Sequence, residues 1–214
     1  MRFFSVLMVV FSFLVARADE KMKMYFNNEE ITKIIELYSK ASGQKFIVDP
    51  GVRGKISIFN QEAVSLDEAF NQLSSALAVN GFGISKQGDM MIVKMARNIQ
   101  RDLHEVSTER PSLKPERLYT WIYTFKNVSA SAAIRDLRTL VSSNGEITSH
   151  ENTNQLFLTD WVSNINRVAE ILKEVDKTPD PTISKLVETA KKNREAHTHD
   201  QTAKKEQKNP KTEN

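Results

Sequence analysis

Along residues 22–96 the spacing of apolar positions alternates between the strand period of two and the helix period of about 3.6. Met22-Lys23-Met24-Tyr25-Phe26 reads as a short strand. Asn27 or Asn28 can cap the helix that follows, in which Ile31, Ile34, Ile35 and Tyr38 share one face. Gly43 stands where a left-handed cap ends such a helix. Lys45–Val48 is a strand, Asp49-Pro50-Gly51 a turn, and Lys55–Phe59 a strand with Ile56 and Ile58 on one side. Ser65-Leu66-Asp67-Glu68 has the form of a capping box, opening a helix with Leu66, Ala69, Phe70, Leu73 and Leu77 as its buried stripe. After Gly81, Phe82–Lys86 and Met90–Met95 form two strands joined through Gln87-Gly88-Asp89, a hairpin signal.

The pattern lapses over 97–116, a charged stretch with two prolines that reads as a linker, and resumes over 117–177. Leu118–Phe125 is aromatic and β-branched, a strand composition. Its alternation puts Tyr119, Trp121 and Tyr123 on one face, with Leu118 and Ile122 on the other. The aromatic face is a candidate contact surface. Ser129 opens a helix with Ala130, Ala133, Ile134, Leu137 and Leu140 on one side. Strands follow at Gly145–Ser149 and Gln155–Thr159, and Asp160 is placed to cap a last helix with Ile165, Val168, Leu172 and Val175 as its seam. The order is β-α-β-β-α, two helices on one face of a three-stranded sheet. From Thr178 the chain is polar and lysine-rich apart from a short helical stretch at Ile183–Ala190. The segment 178–214 therefore reads as a disordered tail.

Residues 1–18 belong to neither unit. Met1-Arg2 precedes the apolar run FFSVLMVVFSFLV, and Ala16-Arg17-Ala18 closes it. This is the layout of a secretory signal peptide cleaved after Ala18. The run of thirteen uncharged residues is shorter than the ~20 that span a bilayer. Export and cleavage predict a periplasmic or extracellular protein without stable membrane insertion. Loss of Arg2 and Arg17 from the 30 basic residues leaves 28 against 27 acidic ones, so the mature chain is near neutral. Near-neutrality and export both argue against a nucleic-acid partner. The absence of cysteine means that packing, not disulfides, must hold an exported chain together. It also leaves no cysteine for lipid attachment at the signal-peptide junction.

Candidate chemistry is sparse. Gly51-Val52-Arg53-Gly54 has the spacing of a loop that clamps a nucleic-acid backbone, but it joins two strands rather than two helices. A turn that needs glycine accounts for it. His197 and His199 lack a third ligand of fixed geometry, and His104 and His150 stand alone. Asp67 and Glu68 fall in a first helical turn, where they complement the helix dipole. Neither a nucleophile elbow nor a cofactor motif is present. The expectation is a non-enzyme with no cofactor and no metal.

Two stretches carry a family resemblance. In the first unit Asp49, Pro50, Val52, Gly54 and Lys55, within GQKFIVDPGVRGKISI, are the marks, and LDEAFNQLSSALAVNGFGISKQGDMMIV matches the helix and hairpin after them. In the second unit the marks are Val128-Ser129-Ala130, Asn154, Asp160, Asn164, Ile165, Arg167, Val168 and Asp176. Residues 22–177 thus resemble the periplasmic N-terminal domains of secretins, the outer-membrane gates of type II secretion and type IV pilus systems: a first domain over 22–96 and one ring-building repeat over 117–177.

The resemblance implies an α+β fold class: two small domains, each with two helices on short mixed sheets, the second a KH-like ring-building fold. It also implies work through surfaces. Such domains pack head to tail into rings, and the first contacts inner-membrane components and substrates, partly through strand edges. Tyr25 and Phe26 join Tyr119, Trp121 and Tyr123 as candidate protein-contact residues. The expected partner is a full-length secretin or an inner-membrane secretion component. A secretin continues into a barrel, whereas 37 residues follow Lys177 here. The expectation is therefore a monomer that joins a ring only on a template. The alternatives are a free-standing periplasmic signalling or adaptor module with a single partner, or a truncated remnant.

Overall fold

The computed structural model describes residues 20–193 except Leu103, Pro179 and Lys191. The expected signal peptide, and the tail beyond residue 193, lie outside the described residues. The first unit contains β1 (Lys21–Glu30), α1 (Ile31–Ser42), β2 (Lys45–Val48), β3 (Lys55–Ser65), α2 (Leu66–Val79), β4 (Phe82–Gln87) and β5 (Met90–Met95). Next come α3 (Ala96–Asp102) and β6 (Glu105–Ser107). The second unit contains β7 (Leu118–Thr124), α4 (Ala130–Leu137), β8 (Glu146–His150), β9 (Gln155–Trp161) and α5 (Val162–Val175). A further helix, α6, covers 181–190. The fold is α+β, built on three small sheets.

In the first unit β1 and β3 form an antiparallel ribbon, while β2, β5 and β4 form a mixed sheet with β2 parallel to β5. Met24, Ile31, Ile34, Ile35, Leu73, Leu77 and Val93 are all but fully buried and supply most of this core. Ser65 caps α2 as expected, its hydroxyl accepting from the Glu68 N–H at 3.3 Å. Gly43 ends α1 at φ 68° and donates to the Ser39 carbonyl. The asparagine cap of α1 does not form. Pairing of β1 with β3 continues to Glu30, so the strand runs straight into the helix, and the carbonyl of Gly54 receives the Ile31 N–H at 3.1 Å. Asn28 instead takes a left-handed conformation, φ 53°, in a bulge of the ribbon.

The second unit packs α4 and α5 on a sheet ordered β6-β7-β9-β8. It has four strands rather than the three expected, because β6 pairs in parallel with β7, Val106 against Thr120. That strand spans only Glu105–Ser107 and so displays no apolar period.

Residues 97–116 are correspondingly more than a linker. They hold most of α3 and all of β6, and the rest is tied down. Arg110 donates from Nε to the Asn166 side chain at 2.5 Å and from Nη1 to Glu170 at 2.6 Å. Asn166 returns a bond to the Pro111 carbonyl at 3.1 Å. The units also share a small apolar cluster of Ala96, Ile99, Leu118 and Trp161, with Ala78 packed against it. The two main cores are distinct clusters, and these contacts join the units between them. Each comes from a residue whose neighbour is distant in sequence, which no local period reveals. On α6, Ile183, Leu186 and Val187 are all more than half exposed.

Candidate protein-contact surface

Alternation along β1 turns Met22, Met24 and Phe26 toward the core and leaves Lys21, Lys23 and Tyr25 outside. On β3 the same rule turns Ile56 and Ile58 inward and Phe59 outward. Tyr25 and Phe59 are cross-strand partners in the ribbon register. Their rings lie 5.6 Å apart, tilted by 60°, and the residues are 50% and 66% exposed. Lys23 places its ammonium 6.0 Å from the Tyr25 ring. A cross-strand aromatic pair left in solvent gains only its mutual contact. It offers far more area to a partner, since buried aromatics dominate interface energies.

Of the contact residues expected from sequence, Tyr25 is therefore exposed, while Phe26 packs against the core. The aromatic face of β7 is a correction. Tyr119 and Trp121 are each 6% exposed, and they join Phe125 in the core beneath the helices, with Tyr123 packed against them. Trp121 Nε1 donates to the Thr108 carbonyl at 3.2 Å and the Tyr119 hydroxyl to the Glu109 carbonyl at 3.2 Å. The fastened segment before β7 covers what the strand pattern alone leaves open. Phe59, not singled out from the sequence, is the exposed aromatic beside Tyr25 that the strand pattern could have named. The inward period of Ile56 and Ile58 was the signal for it.

The motif residues prove to be joints. Asp49 accepts the Gly51 N–H on its carboxylate at 2.7 Å and the Val52 N–H on its carbonyl at 2.9 Å, closing the turn at Pro50. Val52 drops into the core, and Gly54, at φ 125°, delivers the carbonyl that receives α1. Lys55 pairs with Glu30 at the ribbon end. This accounts for the GVRG spacing as a turn.

In the second unit Asn154 sits at φ 52°. Its amide donates to the Phe125 and Val128 carbonyls, and its oxygen accepts the Ala130 N–H at 2.8 Å. That bond, rather than the Ser129 hydroxyl, satisfies the start of α4. Asp160 is fully buried and does not cap α5 as expected. Its carboxylate accepts from Ser142 N at 2.8 Å, Ser142 Oγ at 2.5 Å, Trp161 N at 2.8 Å and Asn164 Nδ2 at 2.5 Å. The cap position belongs to Trp161, and the first helical N–H bonds the Arg117 carbonyl.

Asn164 and Arg167 both reach the Leu140 carbonyl, and Ile165 is fully buried. Asp176 accepts from the Tyr123 hydroxyl at 2.8 Å, Lys126 N at 3.0 Å and Asn127 N at 2.7 Å. Burial alone would raise the Asp176 carboxyl. The Asn127 and Lys126 N–H groups, with the Tyr123 hydroxyl, outweigh it and hold the pKa below the ordinary aspartate value. Burial first, and the bond to Asp176 second, push the Tyr123 hydroxyl up to about 12.

Of the other groups considered from sequence, Asp67 and Glu68 lie in the first turn of α2. His150 bonds the Thr153 hydroxyl through Nδ1 at 2.9 Å. His197 and His199 lie outside the described residues. Among the described residues no group of three or more His, Cys, Asp or Glu side chains is placed to hold a metal ion. No described helix is long and apolar enough to cross a membrane.

Residues 24–93 match the family described as GspD-like, N0 domain, and residues 120–180 match the bacterial type II/III secretion system short domain. Both units are secretin N-terminal domains. The secretin XcpQ of Pseudomonas aeruginosa is 26% identical over 148 residues, covering 69% of this chain and 22% of that protein. The putative secretin GspD of Escherichia coli K12 is 28% identical over 163 residues, covering 74% of this chain and 25% of that protein. The chain thus spans about a quarter of the length of the secretins it matches.

Among solved structures, the Klebsiella pneumoniae type II secretion system outer membrane complex of PulD, PulS and the PulC HR domain aligns with a TM-score of 0.65. The match has 23% sequence identity and covers 74% of this chain and 27% of that chain. It is a likeness of fold. In this chain the motif positions hold turns and helix starts in place, and the Tyr25–Phe59 pair of the ribbon is exposed.

Proposed function

We propose that this chain is a non-enzymatic periplasmic protein that works by protein–protein contact in a type II secretion or type IV pilus machine. Its role is assembly or substrate handling. The exposed Tyr25–Phe59 pair on the β1–β3 ribbon carries the reading. The motif residues are consumed in structural bonds, whereas this aromatic pair on the first unit stands exposed where a partner can reach it. The Klebsiella complex, which holds PulD, PulS and the PulC HR domain, supports another protein of the secretion system as the partner, and on this reading that partner is a full-length secretin or an inner-membrane component.

On this reading the isolated chain is mainly monomeric. Lateral contacts between small domains fall below the ~1,000 Å² that marks a stable interface, and only a template supplies the effective concentration that closes a ring. Sedimentation of the protein alone should give the mass of one chain. Adding the periplasmic domains of the secretin or inner-membrane component made by the same cell should shift it. Replacing Tyr25 and Phe59 together by serine should abolish the shift and leave folding intact. A shift that survives this change removes the ribbon from the reading. Capture of one partner without higher-order assembly favours a single-partner adaptor instead.

A further inference from the structure

The helices α4 and α5 cover one face of the second sheet, and the other face is only partly spent. Strand alternation turns Tyr119 and Trp121 of β7, with Leu156 and Leu158 of β9, toward those helices. Ile122 and Phe157, cross-strand partners, therefore face the other way with Thr148 beside them, as does Val106 of β6 through its register with Thr120. One end of this back face carries α3, whose Ile99 packs with Leu118 and Trp161. The row beyond α3 is unclaimed. Ile122 and Phe157 are partly exposed and belong to none of the described apolar clusters, and Val106 is 58% exposed. Strands stand ~4.8 Å apart, so the four-stranded sheet is about 14 Å across. A helix the length of α6, over 181–190, measures about 15 Å.

The matching surface is on α6 itself. Ile183, Leu186 and Val187 fall at i, i+3 and i+4 on one stripe, and they are 55%, 62% and 62% exposed. Among the described residues no other helix exposes more than one large apolar side chain. This stripe cannot reach the back face of its own sheet. Asp176 accepts the Asn127 N–H, and the Thr178 hydroxyl donates to the Asn127 side chain at 3.2 Å, so the chain departs from the loop that leads into α4. Three residue steps from Thr178 to α6 reach at most about 11 Å. Layers stacked on the two sides of a sheet, at ~10 Å each, stand about 20 Å apart.

We propose that α6 of one copy packs across the back face of the second unit of another copy, beside α3. Its Ile183, Leu186 and Val187 rest on Ile122, Phe157 and Val106. Two unspent apolar faces that cannot meet within one chain are complementary between chains. The contact is heterologous, so each copy both gives a helix and receives one. Three apolar residues on one row bury less than the ~1,000 Å² of a stable interface. The contact therefore forms at high local concentration, in keeping with a chain that is monomeric when dilute. It rests on the reading above only for the template that supplies that concentration, and neither Tyr25 nor Phe59 takes part.

The test mixes two preparations of the chain from Asp19 onward, at millimolar concentration and without any secretion component. The chain has no cysteine, so Ser184→Cys places a single nitroxide beside the α6 stripe of an unlabelled donor. The receiver is isotope-labelled wild type, and its amide signals at Val106, Ile122, Thr148 and Phe157 should broaden. Leu186→Ser in the donor should weaken the contact about tenfold. Thr148→Arg in the receiver sets a bulky charge on the strip without removing an apolar residue, and it should abolish the broadening. Each change should be silent in the other copy: a donor carrying Thr148→Arg still broadens a receiver carrying Leu186→Ser. Ser184, Leu186 and Thr148 are all exposed, so the fold is not at stake.

Absence of broadening on the back face overturns the proposal. So does broadening centred on α6 of the receiver, which marks paired helices, and so does broadening that both changes leave in place. No secretion partner is present, so these outcomes are separate from whether Tyr25 and Phe59 capture one.

Discussion

Asp160 offers the sharpest test of how the second unit is held together, because two roles for it differ in magnitude. A residue that merely caps α5 would cost ~1 kcal/mol when replaced by alanine. The buried bracket seen here should cost more. Asp160 is fully buried and accepts the backbone N–H groups of Ser142 and Trp161, the Ser142 hydroxyl and the Asn164 amide. After Asp160→Ala the Ser142 hydroxyl can rotate, and Asn164 keeps its bond to the Leu140 carbonyl. The two N–H groups have no such recourse. At roughly 1–3 kcal/mol for each stranded donor, with the charged bonds lost as well, the expected cost is about 4 kcal/mol.

Chemical denaturation followed by tryptophan fluorescence measures it. The chain's two tryptophans, Trp121 and Trp161, both lie in the second unit. Asp160→Asn keeps the shape and one acceptor oxygen, so it should lose about half as much, and it carries the comparison if the alanine variant is too unstable to fold. A loss of ~1 kcal/mol or less for alanine, or equal losses for the two variants, would refute the bracket and restore the cap.

Two further outcomes follow from the same structure. Asp176 has a folded pKa below its unfolded value, so its contribution is present above the ordinary aspartate range and is lost as pH falls through the depressed folded value. For Tyr123 the folded pKa is raised, so its contribution is complete below 10.0, the ordinary tyrosine value, and disappears as pH rises through about 12. Acid and alkaline melts of wild type against Asp176→Asn should show the acid limb flattened and the alkaline limb only reduced, because the burial that first raises Tyr123 remains; an unchanged acid limb would contradict the pairing. Between the units, a Cβ at Gly83 would stand 2.9 Å from Ile99 Cδ1 and 3.7 Å from the Trp161 ring. Gly83→Leu should therefore cost about 1–3 kcal/mol by overpacking and split thermal unfolding into two transitions. A single transition at the wild-type temperature would show that the shared cluster does not couple the units.

Local pattern was sufficient wherever a residue's partners lie within a turn or an adjacent strand. The helices α1, α2, α4 and α5 were legible because each buries a stripe at helical spacing, and the hairpin of β4 and β5 because Gly88 can take φ 61° between them. The marks around Asp49–Lys55 and Asn154–Asp176 were legible as a family signature, but not as the bonds they make.

What only the tertiary structure decided are the partners brought from far along the chain. The strand alternation of Tyr119 and Trp121 left open whether solvent or protein lay over that face, and residues from the segment before β7, together with the helices, settled it. Asp160 looked like a cap because it precedes a helix. The turn at Ser142 folds back onto it, and Gly145 leaves room there, since a Cβ would stand 2.6 Å from its carboxylate. The strand β6 and the shared cluster around Trp161 were likewise invisible: three polar-flanked residues set no period, and burial at Ala96, Ile99 and Leu118 exists only once the two units touch. Hydrophobic spacing records which side of an element is dry. It does not record which distant segment dries it.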